Sequence, residues 1–250
     1  MRPRVIVHNL ASLDGRVSIA PNTLLLTGEA RWEAVAGSSD SIYRQLKQTY
    51  EPQAILEGSG SFVTDQSQPA HLPPVEGNTE ALYQDYLPKP LLEKPGRWWM
   101  VVTDSRGRVR WGFKEFPGED WQGCHLLVLV SQHTPPSYLA YLQREYIPYL
   151  MAGKEQVDLK LALEKLSRLG VTTLVSTAGS RLQGALLRAG LMDEVSLQFF
   201  PALIGGTDTP VLFASPELLP DQLPMRLCLL SSEVLEGGKI WLRYAVVGGE

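Results

Sequence analysis

With 250 residues, 44% of them hydrophobic and 20% charged, the chain has the composition of an ordinary globular protein with a sizeable core. A formal net charge of −4 and a pI of about 5.7 offer no general attraction to nucleic acid or to an anionic membrane, so any anion site has to be local. No apolar run approaches the roughly 20 residues of a membrane span, and Met1-Arg2-Pro3-Arg4 leads into Val5-Ile6-Val7 where a signal peptide would carry its apolar region; the expected location is the cytoplasm.

Residues 5–10 form the first predicted strand, which stops at Ala11-Ser12-Leu13-Asp14-Gly15, where Asp and Gly supply turn chemistry. In isolation Asp14-Gly15 reads as a hairpin turn. Residues 27–32 read as a turn and helix start, and the helical pattern over 29–50 is interrupted at Gly37-Ser38-Ser39-Asp40. That break predicts two helices, with Asp40 capping the second. After Pro52, residues 53–57 are a short buried strand with Gly58-Ser59-Gly60-Ser61 at its carboxyl end, where open α/β sheets bind ligands. This G-x-G lacks the third glycine and the later acid of the dinucleotide fingerprint, which excludes a Rossmann assignment. Asp65, just beyond, reads equally as a ligand contact and as a solvated loop acid.

Residues 66–96 are rich in Pro, Gln and Gly and predict a loop excursion, with one helix near 80–92, inside a single domain spanning 1–250. An aromatic strand over 97–103 follows and is ended by Asp104-Ser105-Arg106-Gly107. Another buried strand covers 125–131, and a short helix over 136–150 presents Tyr138, Tyr141 and Tyr149 as a packing face. Residues 158–169 form a well-patterned amphipathic helix with Leu159, Ala162, Leu163 and Leu166 on one side.

Residues 173–206 organise the rest. Thr173-Leu174-Val175 reads as a strand and Ser176-Thr177-Ala178-Gly179 as a small-residue turn. The following helix places Leu182, Ala185, Leu186 and Ala189 on the face expected to pack on a sheet. Gly190 closes that helix, and 194–200 with Pro201 is the next strand. A glycine turn feeding a helix N-terminus leaves backbone N–H groups free and a positive dipole end, to which phosphates bind readily. Residues 225–235 and 239–247 flank Glu236-Gly237-Gly238, a closing hairpin. The predicted fold class is α/β, a mostly parallel sheet flanked by helices on both faces with a C-terminal antiparallel hairpin.

Nucleophile and metal chemistry find no support. There is no G-x-S-x-G, H-E-x-x-H or P-loop, and His8, His71, His125 and His133 are scattered through separate elements. Cys124 and Cys228 lie far apart in strand-like surroundings and are expected to be buried free thiols.

The segment A-G-S-R-L-Q-G-A-L-L-R-A-G-L-M-D-E-V, followed by P-A-L-I-G, resembles the nucleotide-binding strand–helix–strand of the riboflavin-pathway pyrimidine reductases. That family shares a fold with dihydrofolate reductase. Ala11 to Arg16, A-S-L-D-G-R, is similar to its second signature, and G-S-G-S falls between them; 66–97 matches poorly. The resemblance implies an NADPH-dependent homodimer that reduces a ribosylamino-pyrimidine phosphate to its ribitylamino form, binding a small-molecule substrate and no nucleic acid. It places Ala11, Ser61, Asp65, Ser105, Gly179, Ser180, Arg181, Leu182 and Gly184 on the cofactor, with Arg106 or Arg108 near a 2′-phosphate. Thr23 and Thr177 fall on the substrate, and His8 and Asp65 on catalytic positions. Three departures bear on the substrate. His8 replaces the family's lysine or asparagine and could donate a proton near neutral pH or be a bonded core histidine. Thr177 replaces an acid, and no arginine matches the substrate-phosphate cradle after Asp65. Reduction of another heterocycle such as a pterin, or a catalytically silent nucleotide-binding dimer, are the alternatives. The family's frequent zinc deaminase partner, with H-x-E and P-C-x-x-C, has no counterpart in the sequence, so reduction alone is expected.

Overall fold

The computed structural model describes residues 1–25, 28–37 and 39–247, apart from the side chains of residues 39–41. Thr27, read as part of a turn, and the side chain of Asp40, read as a cap, therefore lie outside the described residues. The chain forms two compact units: Met1–Pro3 with Pro52–Leu174, and Arg4–Glu51 with the chain from Val175 onward.

The first unit carries four parallel strands, β2 (Ala54–Gly58), β3 (Trp98–Thr103), β4 (Cys124–Val130) and β5 (Tyr149–Met151). They pair in the order β5-β4-β3-β2, with Val101 opposite Leu56 and Leu127. All seven residues of β4 are buried, which is why its sequence, His125 apart, is apolar where an exposed sheet face would demand alternation. Helix α4 (Pro136–Arg144) buries Tyr138, Leu139, Tyr141 and Leu142. Its tyrosines are packing groups with bonded hydroxyls: Tyr138 Oη accepts from Trp111 Nε1 at 3.0 Å and Tyr141 Oη from Trp111 N at 2.6 Å. The helix stops at Arg144 because Tyr146 takes a left-handed φ of 55° ahead of Pro148, so Tyr149 is a strand residue and not part of the helical face expected for it. Helix α5 (Leu159–Arg168) is capped by Asp158, whose carboxylate accepts from Leu161 N at 3.0 Å.

Residues 66–96 depart from the single helix expected near 80–92. Glu80–Tyr83 is one 3₁₀ turn, and α3 is only Lys89–Leu92; Pro88 and Pro90, both without an N–H, separate and confine them. The excursion is tied to β5 by the Tyr86↔Tyr149 bridge and by Asp85, which accepts from Met151 N and from Lys165 Nζ at 2.8 and 2.7 Å.

The second unit contains β1 (Arg4–Ser12), α1 (Ala30–Ala36), α2 (Ser39–Tyr50), α6 (Ser180–Arg188), β7 (Glu194–Phe200), β8 (Leu227–Val234) and β9 (Ile240–Val246). The short strand β6 (Thr173–Ser176) straddles the division of the chain at Leu174. Strands β1 and β7 are parallel, whereas β9 is antiparallel to both β7 and β8, so the hairpin closes the order β1-β7-β9-β8. Strand β1 runs on through Ala11 and Ser12, which remain in register with Phe199 and Phe200. Gly37, at φ 86°, separates α1 from α2, and Glu29 caps α1 by accepting from Trp32 N. Trp32 packs edge-to-face on Phe200 at 5.1 Å, joined by Leu10 and Ala36.

A buried polar cluster also holds this unit. Glu194, 1% exposed, accepts from Tyr50 Oη at 2.7 Å, from Arg243 Nε at 2.8 Å and from Arg4. Two guanidiniums and a hydroxyl compensate the desolvation of that carboxylate. Cys124 is buried as expected, but Cys228 is exposed, because β8 is an edge strand with both faces open to solvent.

Candidate active site

In the second unit the predicted turn is present: β6 ends at Ser176, and Gly179, in extended conformation, begins α6 with no side chain capping it. The space where a Gly179 Cβ would stand is empty to 4 Å, and Gly179 and Arg181 are exposed. The first amides of the helix therefore lie at an open surface, where an anion can take their hydrogen bonds. Behind them the helix is closely packed. Ser180 donates its hydroxyl to Val211 O, its backbone carbonyl accepts from Ala214 N at 3.1 Å, and buried Gln183 donates to Ser176 O at 3.1 Å. A Cβ on Gly184 would stand 2.0 Å from Ala214 O. That approach gives the glycine a packing role. It corrects the predicted helix face: Ser180, Gln183, Gly184 and Leu186 are buried, while Ala185 and Ala189 are exposed. A face that receives another chain segment at backbone distance needs small and bonded side chains more than apolar ones.

Thr177, half-buried in the turn, lies 3.4 Å from Tyr43 Oη through its Oγ1, and Asn9 Nδ2 donates to Ala178 O at 3.3 Å. Asn9 was missed in the sequence, where its signal was a polar residue inside an apolar strand. Ala11 is fully buried in β1, and Thr23 is half-buried in the loop beyond. Asp14 joins the two signature motifs: it accepts from Ser12 Oγ, from Ile204 N at 3.1 Å and from Gly205 N at 2.7 Å. The Ser12 hydroxyl first, and then the two amides, hold its carboxyl down to about pKa 2. Arg16 adds a bond from Nη1 to Thr209 O at 2.8 Å. This Asp-Gly turn thus anchors the chain around Gly205.

His8 is 1% exposed, with Nδ1 2.9 Å from Ser196 Oγ, a hydroxyl oxygen that accepts from Trp241 Nε1 at 2.8 Å. Its Nε2 is buried and has no hydrogen-bond partner among the described residues. Desolvation pushes its pKa to about 3, so the ring is neutral near pH 7. In this setting His8 is a buried, neutral ring with one bonded nitrogen.

In the first unit, Ser61 ends a 3₁₀ turn (Ser59–Ser61) after β2 and donates to Glu57 Oε2 at 2.6 Å. Glu57 is buried, and sequence reading passed over it as an ordinary strand residue. After β3, buried Asp104 accepts from Arg108 N at 3.1 Å and Val109 N at 2.9 Å, and Thr134 Oγ1 donates to Ser105 O at 2.8 Å. Gly107 combines a φ of 63° with Tyr138 Cγ 2.7 Å from where a Cβ would stand. The loop so fixed brings Arg108 to 2.6 Å and Arg106 to 3.7 Å from Asp65 Oδ1. Asp65, half exposed, is thus an ion-paired acid of the loop. Among the described residues no group of His, Cys, Asp and Glu could hold a metal ion.

The model of the RibD C-terminal domain family matches residues 3–240. The chain belongs to that family. Its similarity reaches the 2,5-diamino-6-ribosylamino-4(3H)-pyrimidinone 5′-phosphate reductases of Methanothermobacter thermautotrophicus, 28% identical with 99% of this chain and 100% of that protein covered, and of Archaeoglobus fulgidus, 28% identical with 85% and 86% covered. It also resembles the riboflavin biosynthesis protein RibD of Escherichia coli, 28% identical over 78% of this chain but 47% of that longer protein. Among solved structures, a pyrimidine reductase-like protein from Corynebacterium diphtheriae superposes with a TM-score of 0.66 at 18% identity, covering 99% of this chain and 93% of that one. The fold is dihydrofolate reductase-like, mostly parallel with an antiparallel C-terminal hairpin.

Proposed function

We propose that this member of the RibD C-terminal domain family is an NADPH-dependent reductase of a ribosylamino-pyrimidine 5′-phosphate, acting in riboflavin biosynthesis as a cytoplasmic homodimer. The observation that carries the reading is the uncapped, open N-terminus of α6 at Gly179, within a match that covers nearly the whole chain. The residues present fit the cofactor: the amides at Gly179, Ser180 and Arg181 suit its phosphates. When bound, the reduced nicotinamide supplies the hydride that is added to C1 of the open-chain sugar imine. The protein's own work is alignment and exclusion of water, for which buried Ala11 and the turn at Thr177 offer rigid walls. Thr177 pairs with a phenol at a position where the resemblance implies an acid, so ring recognition here runs through neutral hydrogen bonds.

The dimer reading is supported by the C-terminal hairpin. Strand β8 is an edge that exposes Leu227, Leu229, Leu230 and Val234, a surface that a second copy would cover. Fluorescence titration with NADPH tests the cofactor assignment. Micromolar binding that Gly179→Val abolishes is expected, since a branched side chain obstructs approach to the amides, and absence of binding by the wild type would sink the reductase reading. Light scattering on Leu230→Glu is expected to show a monomer where the wild type is a dimer.

A further inference from the structure

We propose that Asp65 is an internal counter-anion in a phosphate-monoester site made by Arg106 and Arg108, where it competes with the ligand's phosphate; for the ligand's identity this rests on the reductase reading above. A cavity of about 290 Å³ opens in the first unit, lined by Val63, Thr64, Asp65, Ser67 and the two arginines. A single carboxylate oxygen, Asp65 Oδ1, faces both guanidiniums, at 2.6 Å from Arg108 Nη1 and 3.7 Å from Arg106 Nη2.

Arg108 is held in place from several sides. Its Nη2 donates to Val63 O at 3.0 Å, its backbone N–H is held by buried Asp104, and its side chain is 16% exposed. Its Nε is buried and lacks a partner among the described residues. A guanidinium fork is matched by two acceptor oxygens in one plane, and here Asp65 Oδ1 lies within ion-pair distance of both forks. A phosphate monoester brings three oxygens and about two negative charges into a pocket whose three charged side chains sum to +1. The hydroxyls of Thr64 and Ser67, 3.1 Å apart, supply further donors in the same lining. Arg106, 62% exposed, is free to swing onto the incoming group. The phosphate gains both forks only as Asp65 gives way, so the carboxylate sets how strongly a phosphorylated ligand is preferred over its unphosphorylated counterpart.

Two phosphates of the proposed reaction share this chemistry, the cofactor's 2′-phosphate and the sugar's 5′-phosphate. The test is calorimetric titration of wild type, Asp65→Asn and Arg106→Gln with adenosine 2′,5′-bisphosphate, 5′-AMP and ribose 5-phosphate. Asp65→Asn is expected to tighten the phosphate ligand about tenfold, the effect of removing a like charge at this separation near the surface, and Arg106→Gln to weaken it by a similar factor. A gain for the bisphosphate but not for 5′-AMP assigns the site to the cofactor, and a gain for ribose 5-phosphate assigns it to the substrate. No gain for either, or a loss in Asp65→Asn, overturns the proposal and leaves Asp65 as a brace for the arginines. Thermal unfolding checks that the variant folds, and Asp65→Ser serves the same comparison if Asp65→Asn does not. A wild type that fails to bind NADPH removes the reductase reading, whereas the ribose 5-phosphate arm still decides the anion site.

Discussion

The turn after β6 and the loop after β3 both follow the carboxyl end of a strand, yet they present opposite kinds of polar group. The first offers backbone amides on a helix end, with partial charges fixed by the packing of Ser180, Gln183 and Gly184 behind them. The second offers whole charges on Arg106 and Arg108, with rigidity supplied by buried Asp104 and by Gly107 against Tyr138. The contrast teaches that rigidity sits in the rear of each turn and binding capacity at its front. Substitutions behind should cost stability, and those in front should cost affinity.

The largest expected effect compares the buried histidines of the two units. Burial holds His8 at about pKa 3, so the unfolded chain, with its ordinary value near 6.5, binds a proton over the interval between them. Stability from this group is complete above pH 6.5 and is lost as pH falls toward 3, by roughly 3–5 kcal/mol in all. Urea unfolding at pH 7 and pH 4 checks this, and His8→Gln should flatten the difference. His125, also lowered by burial, faces Glu115, whose carboxylate opposes the shift, and His125→Gln should flatten it less. Equal slopes in the two variants would break the comparison.

Next come the glycines. Gly184→Ala drives a methyl into Ala214 O and should cost about 3 kcal/mol by denaturant unfolding, while Gly179→Ala, with open space, should fall within about 0.5 kcal/mol of wild type. Gly107→Ala meets both a left-handed φ and the Tyr138 ring, for an expected loss of about 2 kcal/mol. If Gly184→Ala instead keeps its stability and loses NADPH, the glycine belongs to the front of the turn after all.

Much of this was legible in the sequence because it is local. The strand, small-residue turn and helix over 173–188, the break at Gly37 and the closing hairpin each depend on residues within a few positions of one another. The Asp65–Arg108 pair was not, since its partners are brought together across a loop excursion. The buried face of α6 was misread for a related reason: periodicity marks apolar residues, whereas the segment at 211–215 selected for smallness at Gly184. His8 remained open because burial, which decides its charge, is a property of β1 among its neighbours and not of the residue itself.

The smallest expected effect separates anchoring from binding most cleanly. Asp14 is an exposed carboxylate whose bonds reach Ile204 and Gly205, so its loss should loosen that segment without unfolding the core. With its carboxyl held near pKa 2, against about 4 in the unfolded chain, its contribution is complete above pH 4 and fades as pH falls through 2. In Asp14→Asn at pH 6, amide exchange at Ile204 and Gly205 should quicken on the order of tenfold, with the denaturation midpoint nearly unmoved. Exchange that quickens equally throughout β1 and β7 would instead make this turn part of the global folding unit, and NADPH affinity measured on the same variant would then report stability and not the site.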